Sequence, residues 1–112
     1  KAAEKTIQTR LTPEEDFEST PWARVMLALF EARLGHGNEA LSHLNFMLEH
    51  HLSPTLLFMH PAIPGTLNPR PVWELDGNTG FTEAVLEMLL QVLPGMIRLL
   101  PALPDPCRAV DA

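Results

Sequence analysis

Trp73-Glu74-Leu75-Asp76-Gly77-Asn78-Thr79-Gly80 leads directly into Phe81-Thr82-Glu83-Ala84-Val85-Leu86-Glu87-Met88-Leu89-Leu90-Gln91, so a polar segment punctuated by glycine meets a long apolar run. Asp76 and Asn78 set a carboxylate and a carboxamide two residues apart. Glycine permits backbone conformations closed to other residues, so Gly77 and Gly80 predict a turn that holds those polar groups at a fixed angle. Purely structural turns use the same Asp-Gly and Asn-X-Gly chemistry. The run after the turn predicts a helix from about Phe81 to Leu93, ended by Pro94-Gly95. It is apolar over most of its circumference, which predicts deep burial.

Upstream, Thr20-Pro21 gives a helix start. Trp22, Val25, Met26, Leu29 and Arg33 then recur at three- and four-residue spacing, and Gly35 supplies the stop. Asn38 is placed to cap a second helix, with Leu41, Leu44, Leu48 and Leu52 on one stripe. So short a connection makes the two helices antiparallel neighbours. Thr12-Pro13-Glu14-Glu15 reads as one helical turn or a loop corner. Residues 53–80 carry Pro54, Pro61, Pro64, Pro69 and Pro71 without periodicity, and read as a long loop. Met96–Leu100 is apolar and bounded by Pro-Gly and Pro, which suits a short strand, and the residues after Pro104 read as a frayed tail. The class is all-α.

A chain of 112 residues allows one domain at most. It opens on Lys1, which predicts a piece of a longer protein. The net charge of −6 and the absence of a basic cluster argue against nucleic acid and anionic membrane as partners. Cys107 is the single cysteine, so no internal disulfide is possible. No apolar run approaches the roughly 20 residues that span a bilayer. His43, His50 and His51 fall on one helix and its end, but metal pairs on helices favour a gap of three or four, so no metal is expected. No cofactor is expected either.

The order of motifs resembles the end of the catalytic domain in glycoside hydrolase family 95, the α-L-fucosidase-like enzymes. That family shows an Ile-Asp-Gly-Asn-Phe-Gly turn, an Ala-Glu-Met-Leu-Leu-Gln helix and a Leu-Leu-Pro-Ala-Leu-Pro segment. Here the counterparts are Asp76-Gly77-Asn78, the Ala84–Gln91 run and Leu99-Leu100-Pro101-Ala102-Leu103-Pro104. Upstream, Pro21-Trp22-Ala23-Arg24 resembles Trp-Ser-Arg-Ala, and Leu57-Phe58-Met59-His60-Pro61 resembles Leu-Phe-Asp-x-His-Pro. Ala32-Arg33-Leu34-Gly35 with Glu39-Ala40-Leu41 matches the helix–turn–helix between them. The matches span roughly residues 19–104. The resemblance implies that residues 1–112 are a fragment of a six-hairpin (α/α)6-barrel glycosidase domain. Its rival is a tetratricopeptide-like, non-catalytic protein-binding module, for which repeat proteins need about three similar units. Here the hairpin occurs once.

The chemistry implied is inverting hydrolysis of a terminal α-linked fucose or related sugar, with acid and base carboxyls roughly 6.5–9.5 Å apart. The family's general acid lies upstream of the matched segment, so this chain alone is expected to be inactive. Its partners are then an oligosaccharide and the remainder of the catalytic domain. The resemblance implies Asp76 as the catalytic carboxylate on the water side, and a carboxylate hydrogen-bonded in a tight turn stays ionised. It puts His60, Trp22 and Asn78 on the substrate side, Asn78 as part of the turn's scaffold. His60 reads equally as an exposed loop histidine, and Trp22 as a core residue opening an amphipathic helix. Trp73 is a weaker case of the same kind. Glu74 reads as a surface residue, and Glu83 with Glu87 as the polar stripe near a helix start. Ala62–Val72 intervene where the family runs almost directly from His-Pro into Phe-Gln-Ile-Asp-Gly-Asn, Thr79 replaces a common phenylalanine, and Met59 stands near a frequent acidic position. The natural sugar and the compartment are left open. One structural test separates the two readings: an enzyme fragment leaves a wide apolar flank on the first and third helices, whereas a module closes its own core.

Overall fold

The computed structural model of the protein describes residues 1–10, 20–60 and 71–108. The fold is mostly helical with two small antiparallel sheets. Helices α1 (Ala2–Arg10), α2 (Pro21–Leu34) and α3 (Gly37–His50) come first. A two-stranded pairing of β1 (Met59–His60) with β2 (Val72–Trp73) leads into α4 (Leu75–Leu89). The hairpin β3 (Leu90–Leu93) and β4 (Met96–Leu99) follows at once, then a 3-10 turn at Asp105–Cys107.

Helix α2 starts and stops as its sequence predicts. Thr20 Oγ1 accepts the Ala23 N–H at 3.0 Å, and Pro21 occupies a first-turn position where a missing N–H costs nothing. Gly35 closes the helix at φ +84, a left-handed conformation that side chains disfavour. Helix α3 then runs back beside α2, so that Arg24 near the start of α2 reaches His43 at the middle of α3 and Phe46 one turn beyond it.

The core is built on α2, which packs against α3 on one side and α4 on the other. Val25, Ala28, Ala32, Ala40, Leu44, Met47, Phe58, Ala84, Met88 and Ala102 form it. Alanines at the crossings let the helix axes approach closely, while Leu29, Leu41, Leu52 and Phe81 fill the margin. Because α2 serves two neighbours, its buried set is Ala23, Val25, Leu27, Ala28, Glu31 and Ala32 with Pro21, broader than the single stripe read from the sequence.

Several expectations are corrected. Helix α4 begins at Leu75 and ends at Leu89, six residues earlier than expected at its start and four at its end. The Asp76–Gly80 segment is therefore the first turns of the helix, not a turn before it. Gly77 and Gly80 are absent from the positive-φ glycines, and both serve close packing on α2. Pro94-Gly95 does not stop a helix but joins two strands, with Gly95 at φ +74 in the pattern of a type II turn. The expected strand at Met96–Leu100 is present as β4. Asn38 does not cap α3: His36 holds that position, and Asn38 exchanges two hydrogen bonds with Asp105 at 2.7 and 2.9 Å. That exchange ties down part of the tail expected to fray. The long loop is shortened by the β1–β2 pairing, while its residues 61–70 lie outside the described residues, as does Thr12-Pro13-Glu14-Glu15. Helix α1 was not foreseen, since its pattern is mostly polar, and only Ile7 is buried from it.

Deep burial of the apolar helix is also corrected. Leu75, Val85, Leu86 and Leu89 of α4 are exposed, and so are Trp22 and Leu34 of α2. On the hairpin, the cross-strand pairs Leu90–Leu99 and Val92–Ile97 put four large apolar side chains on one face, all exposed.

Candidate functional site

The starts of α2 and α4 meet, and they do so because of two glycines. A Cβ at Gly77 would collide with Pro21 Cβ, and one at Gly80 would lie 2.9 Å from Val25 Cγ1. With hydrogen in both places, Trp22 on α2 and Asp76 on α4 come to the same end of the molecule.

Glu74 organises that end. It is the residue before α4, extended at φ −115 and ψ 105, and its carbonyl accepts the Asn78 N–H at 3.2 Å. Its own N–H donates to the Phe58 carbonyl at 3.2 Å. Its carboxylate Oε2 accepts the Trp22 N–H at 3.3 Å, across 52 positions of chain. Burial raises its pKa; the Trp22 N–H and attraction to His60 oppose that rise, and the neighbouring Asp76 charge adds to it.

Asn78 is committed to structure. Its Oδ1 accepts the Phe58 N–H at 3.0 Å, while Nδ2 donates to the Phe58 carbonyl at 3.0 Å and the Glu74 carbonyl at 2.7 Å. Both amide hydrogens are thus occupied. The carboxamide acts as a neighbouring strand would, gripping both polar groups of Phe58.

Asp76 lies in the first turn of α4 with its side chain exposed, and it makes no hydrogen bond among the described residues. The amide cradle expected around it is not there. A carboxylate in this position meets the positive end of the helix dipole. His60 sits on β1, partly buried rather than on an open loop, and its Nδ1 is buried without a hydrogen-bond partner among the described residues. Trp22 is 49% exposed, which removes the core reading of its indole. Trp73 on β2 is equally open, paired in register with Met59.

Sequence reasoning missed Glu74. No local signal marks it, since glutamate is not a favoured residue at a helix start and its side chain makes no bond to α4; its partner lies 52 positions away. Glu87 was also misjudged as part of a polar stripe. It is 8% exposed, and its Oε1 pairs with Arg33 Nη2 at 2.5 Å across the α2–α4 contact. Beside it, Gln91 Nε2 donates to the carbonyls of Ala32 and Glu87 at 2.9 and 3.1 Å. His36 Nδ1 lies 2.6 Å from the buried Glu31 Oε2 near the same end of α2. These contacts hold the end of the helix layer remote from Asp76. His43 is likewise buried, 3.5 Å from Arg24 Nη1.

The sequence profile of the Glycosyl hydrolase family 95 catalytic domain matches residues 1–89. The match takes in α1 to the last residue of α4 and includes every residue of the site just described. The hairpin and the Leu99–Pro104 segment lie beyond it. No curated protein matches the chain.

Proposed function

The chain belongs to the glycosyl hydrolase family 95 catalytic domain, and from that premise we propose that it forms the later part of an inverting exo-glycosidase acting on terminal α-linked fucose or a related sugar. Residues 1–112 are read as a fragment of an (α/α)6-barrel domain, with the general acid supplied by the remainder. The observation that carries the reading is the convergence of Trp22, His60 and Asp76 around Glu74 within the residues that match the family.

In this reading Asp76 is the carboxylate on the water side. Its exposure at a helix start leaves both oxygens open to substrate, water or a polar group from the rest of the domain. His60 offers a sugar hydroxyl its Nε2, since Nδ1 is closed to solvent. The exposed indole of Trp22 suits the apolar face of a pyranose. Asn78 serves the substrate indirectly, by holding β1 against the start of α4. The exposed apolar flank of α2, α4 and the hairpin supports an enzyme fragment over a self-contained binding module. The chain by itself is then inactive.

The test is hydrolysis of α-1,2-fucosylated and α-galactosylated oligosaccharides by the full-length protein, with and without Asp76→Ala, the released anomer followed by proton NMR. Turnover with inversion, reduced by about three orders of magnitude or more in the variant, is expected. Inverting turnover that survives the substitution removes Asp76 from the chemistry, and retention of configuration overturns the mechanism.

A further inference from the structure

The first turn of α2 poses a problem of unsatisfied donors. A helix leaves its first N–H groups without internal partners, and each needs an acceptor from outside. Pro21 has none to satisfy, Ala23 donates to Thr20 Oγ1, and Arg24 donates to the Thr20 carbonyl at 2.9 Å. The remaining group, the Trp22 N–H, finds its acceptor on Glu74, the residue that opens α4.

We infer that Glu74 is a positioning residue of the proposed site, one whose side chain caps α2 while its main chain opens α4, and that it thereby fixes the Trp22 backbone relative to Asp76. Its main chain starts α4, through the Asn78 N–H, and anchors that start to Phe58. Its side chain ends the donor deficit of α2. A carboxylate at a helix N-terminus is favoured by the dipole as well as by the hydrogen bond. Glu74 is the residue through which the backbone carrying Trp22 is hydrogen-bonded to the segment carrying Asp76. Among the described residues, the charged and titratable groups that face it are His60 from β1 and Asp76 from α4, while α2 presents the uncharged Trp22 N–H. Glu74 is partly buried, and that burial is the main cause of its raised pKa.

The division of labour within Glu74 makes the role separable. Substitution leaves the main-chain bonds in place, so α4 and Asp76 keep their start. Only the grip on Trp22 is lost. The effect on a substrate held by Trp22 therefore appears in KM more than in kcat. Glutamine keeps a side-chain oxygen able to accept the Trp22 N–H, whereas alanine does not.

This inference rests on the glycosidase reading for its kinetic arm and is independent of it for its structural arm. In the full-length protein, hydrogen exchange at the Trp22 amide is expected to quicken about tenfold in Glu74→Ala, with Glu74→Gln close to the parent. On whichever fucoside or galactoside is turned over, Glu74→Ala raises KM about tenfold with kcat changed by less than about threefold, and Glu74→Gln restores most of the loss. Unchanged Trp22 exchange in the alanine variant overturns the cap itself. Faster exchange with unchanged KM, or an equal loss in the glutamine variant, overturns the positioning role. A protein that turns over neither sugar, yet shows the exchange pattern, retains the cap on α2 and refutes the substrate reading alone.

Discussion

At the scale of single residues, His43 shows how burial controls charge. Its imidazole lies between α2 and α3 beside the Arg24 guanidinium, and burial first, then Arg24, lower its pKa to about 4; Glu39 opposes weakly. A histidine whose folded pKa lies below its unfolded value binds fewer protons when folded. Its contribution to stability is therefore intact above about pH 6.5 and is lost as the pH falls towards 4. The expected loss at pH 4.5 is on the order of 2 kcal/mol. Urea unfolding from pH 7 to 4 checks this: His43→Gln should flatten the acid slope, and parallel slopes in the two proteins would refute it. In the sequence His43 was legible only as a helical histidine outside any metal spacing. Its environment depends on Arg24 arriving from α2, where the guanidinium also lies 4.0 Å from the Phe46 ring centroid, and no local pattern encodes that approach. Asp76 and His60 are candidates through the family resemblance alone, whereas Glu74 is hidden by a helix boundary that the sequence places six residues too late.

At the scale of elements, α2 and its glycine stop were plain from Thr20-Pro21 and Gly35, since caps are local chemistry. The start of α4 was not, because glycine signals a turn by its conformational freedom and a close contact by its lack of a side chain. Gly77 and Gly80 are here for the second reason. The two differ in how close their neighbours lie. Gly77 faces the rigid ring of Pro21 in a hard collision, while Gly80 faces the methyls of the buried Val25 at 2.9 and 3.0 Å, a milder clash. Alanine gains up to about 1 kcal/mol of helix propensity over glycine, whereas overpacking costs about 1–3 kcal/mol. Gly77→Ala is accordingly expected to destabilise by about 1–2 kcal/mol and to part the helix starts, and Gly80→Ala to stay within about 1 kcal/mol of neutral. Denaturant midpoints rank them, and the reverse ranking would show that the α2–α4 contact is not set by Gly77. The hairpin was half legible: Pro94-Gly95 marks a break, and only the pairing partner decides whether a helix or a strand precedes it.

For the whole molecule, the decisive feature is the apolar surface left uncovered. Leu90, Val92, Ile97 and Leu99 form one face of the hairpin, with the last three between 65% and 75% exposed. Apolar patches on this scale normally meet another surface. The chain on its own is expected to self-associate at micromolar concentration, and Val92→Lys with Ile97→Glu to reduce that association without loss of helix content. Light scattering after gel filtration, with far-UV circular dichroism, measures both. A monodisperse parent chain that binds no apolar dye would mean that the fold closes its own core. That this face stays open could not be read from the sequence, because exposure is set by what packs on the hairpin and no local pattern encodes it.

The grip of Asn78 on Phe58 and of Glu74 on Trp22 has a consequence for what change the segment tolerates. Both grips depend on where a residue stands along α4 more than on which neighbours it has. One residue inserted between Glu74 and Asn78 would turn everything after it by about 100° and advance it by about 1.5 Å. That rotation carries the Asn78 carboxamide off the Phe58 backbone and the helix face off Pro21 and Val25 together. The five positions from Glu74 to Asn78 therefore work as a fixed spacer, whose length is held as firmly as the identities of Glu74, Gly77 and Asn78.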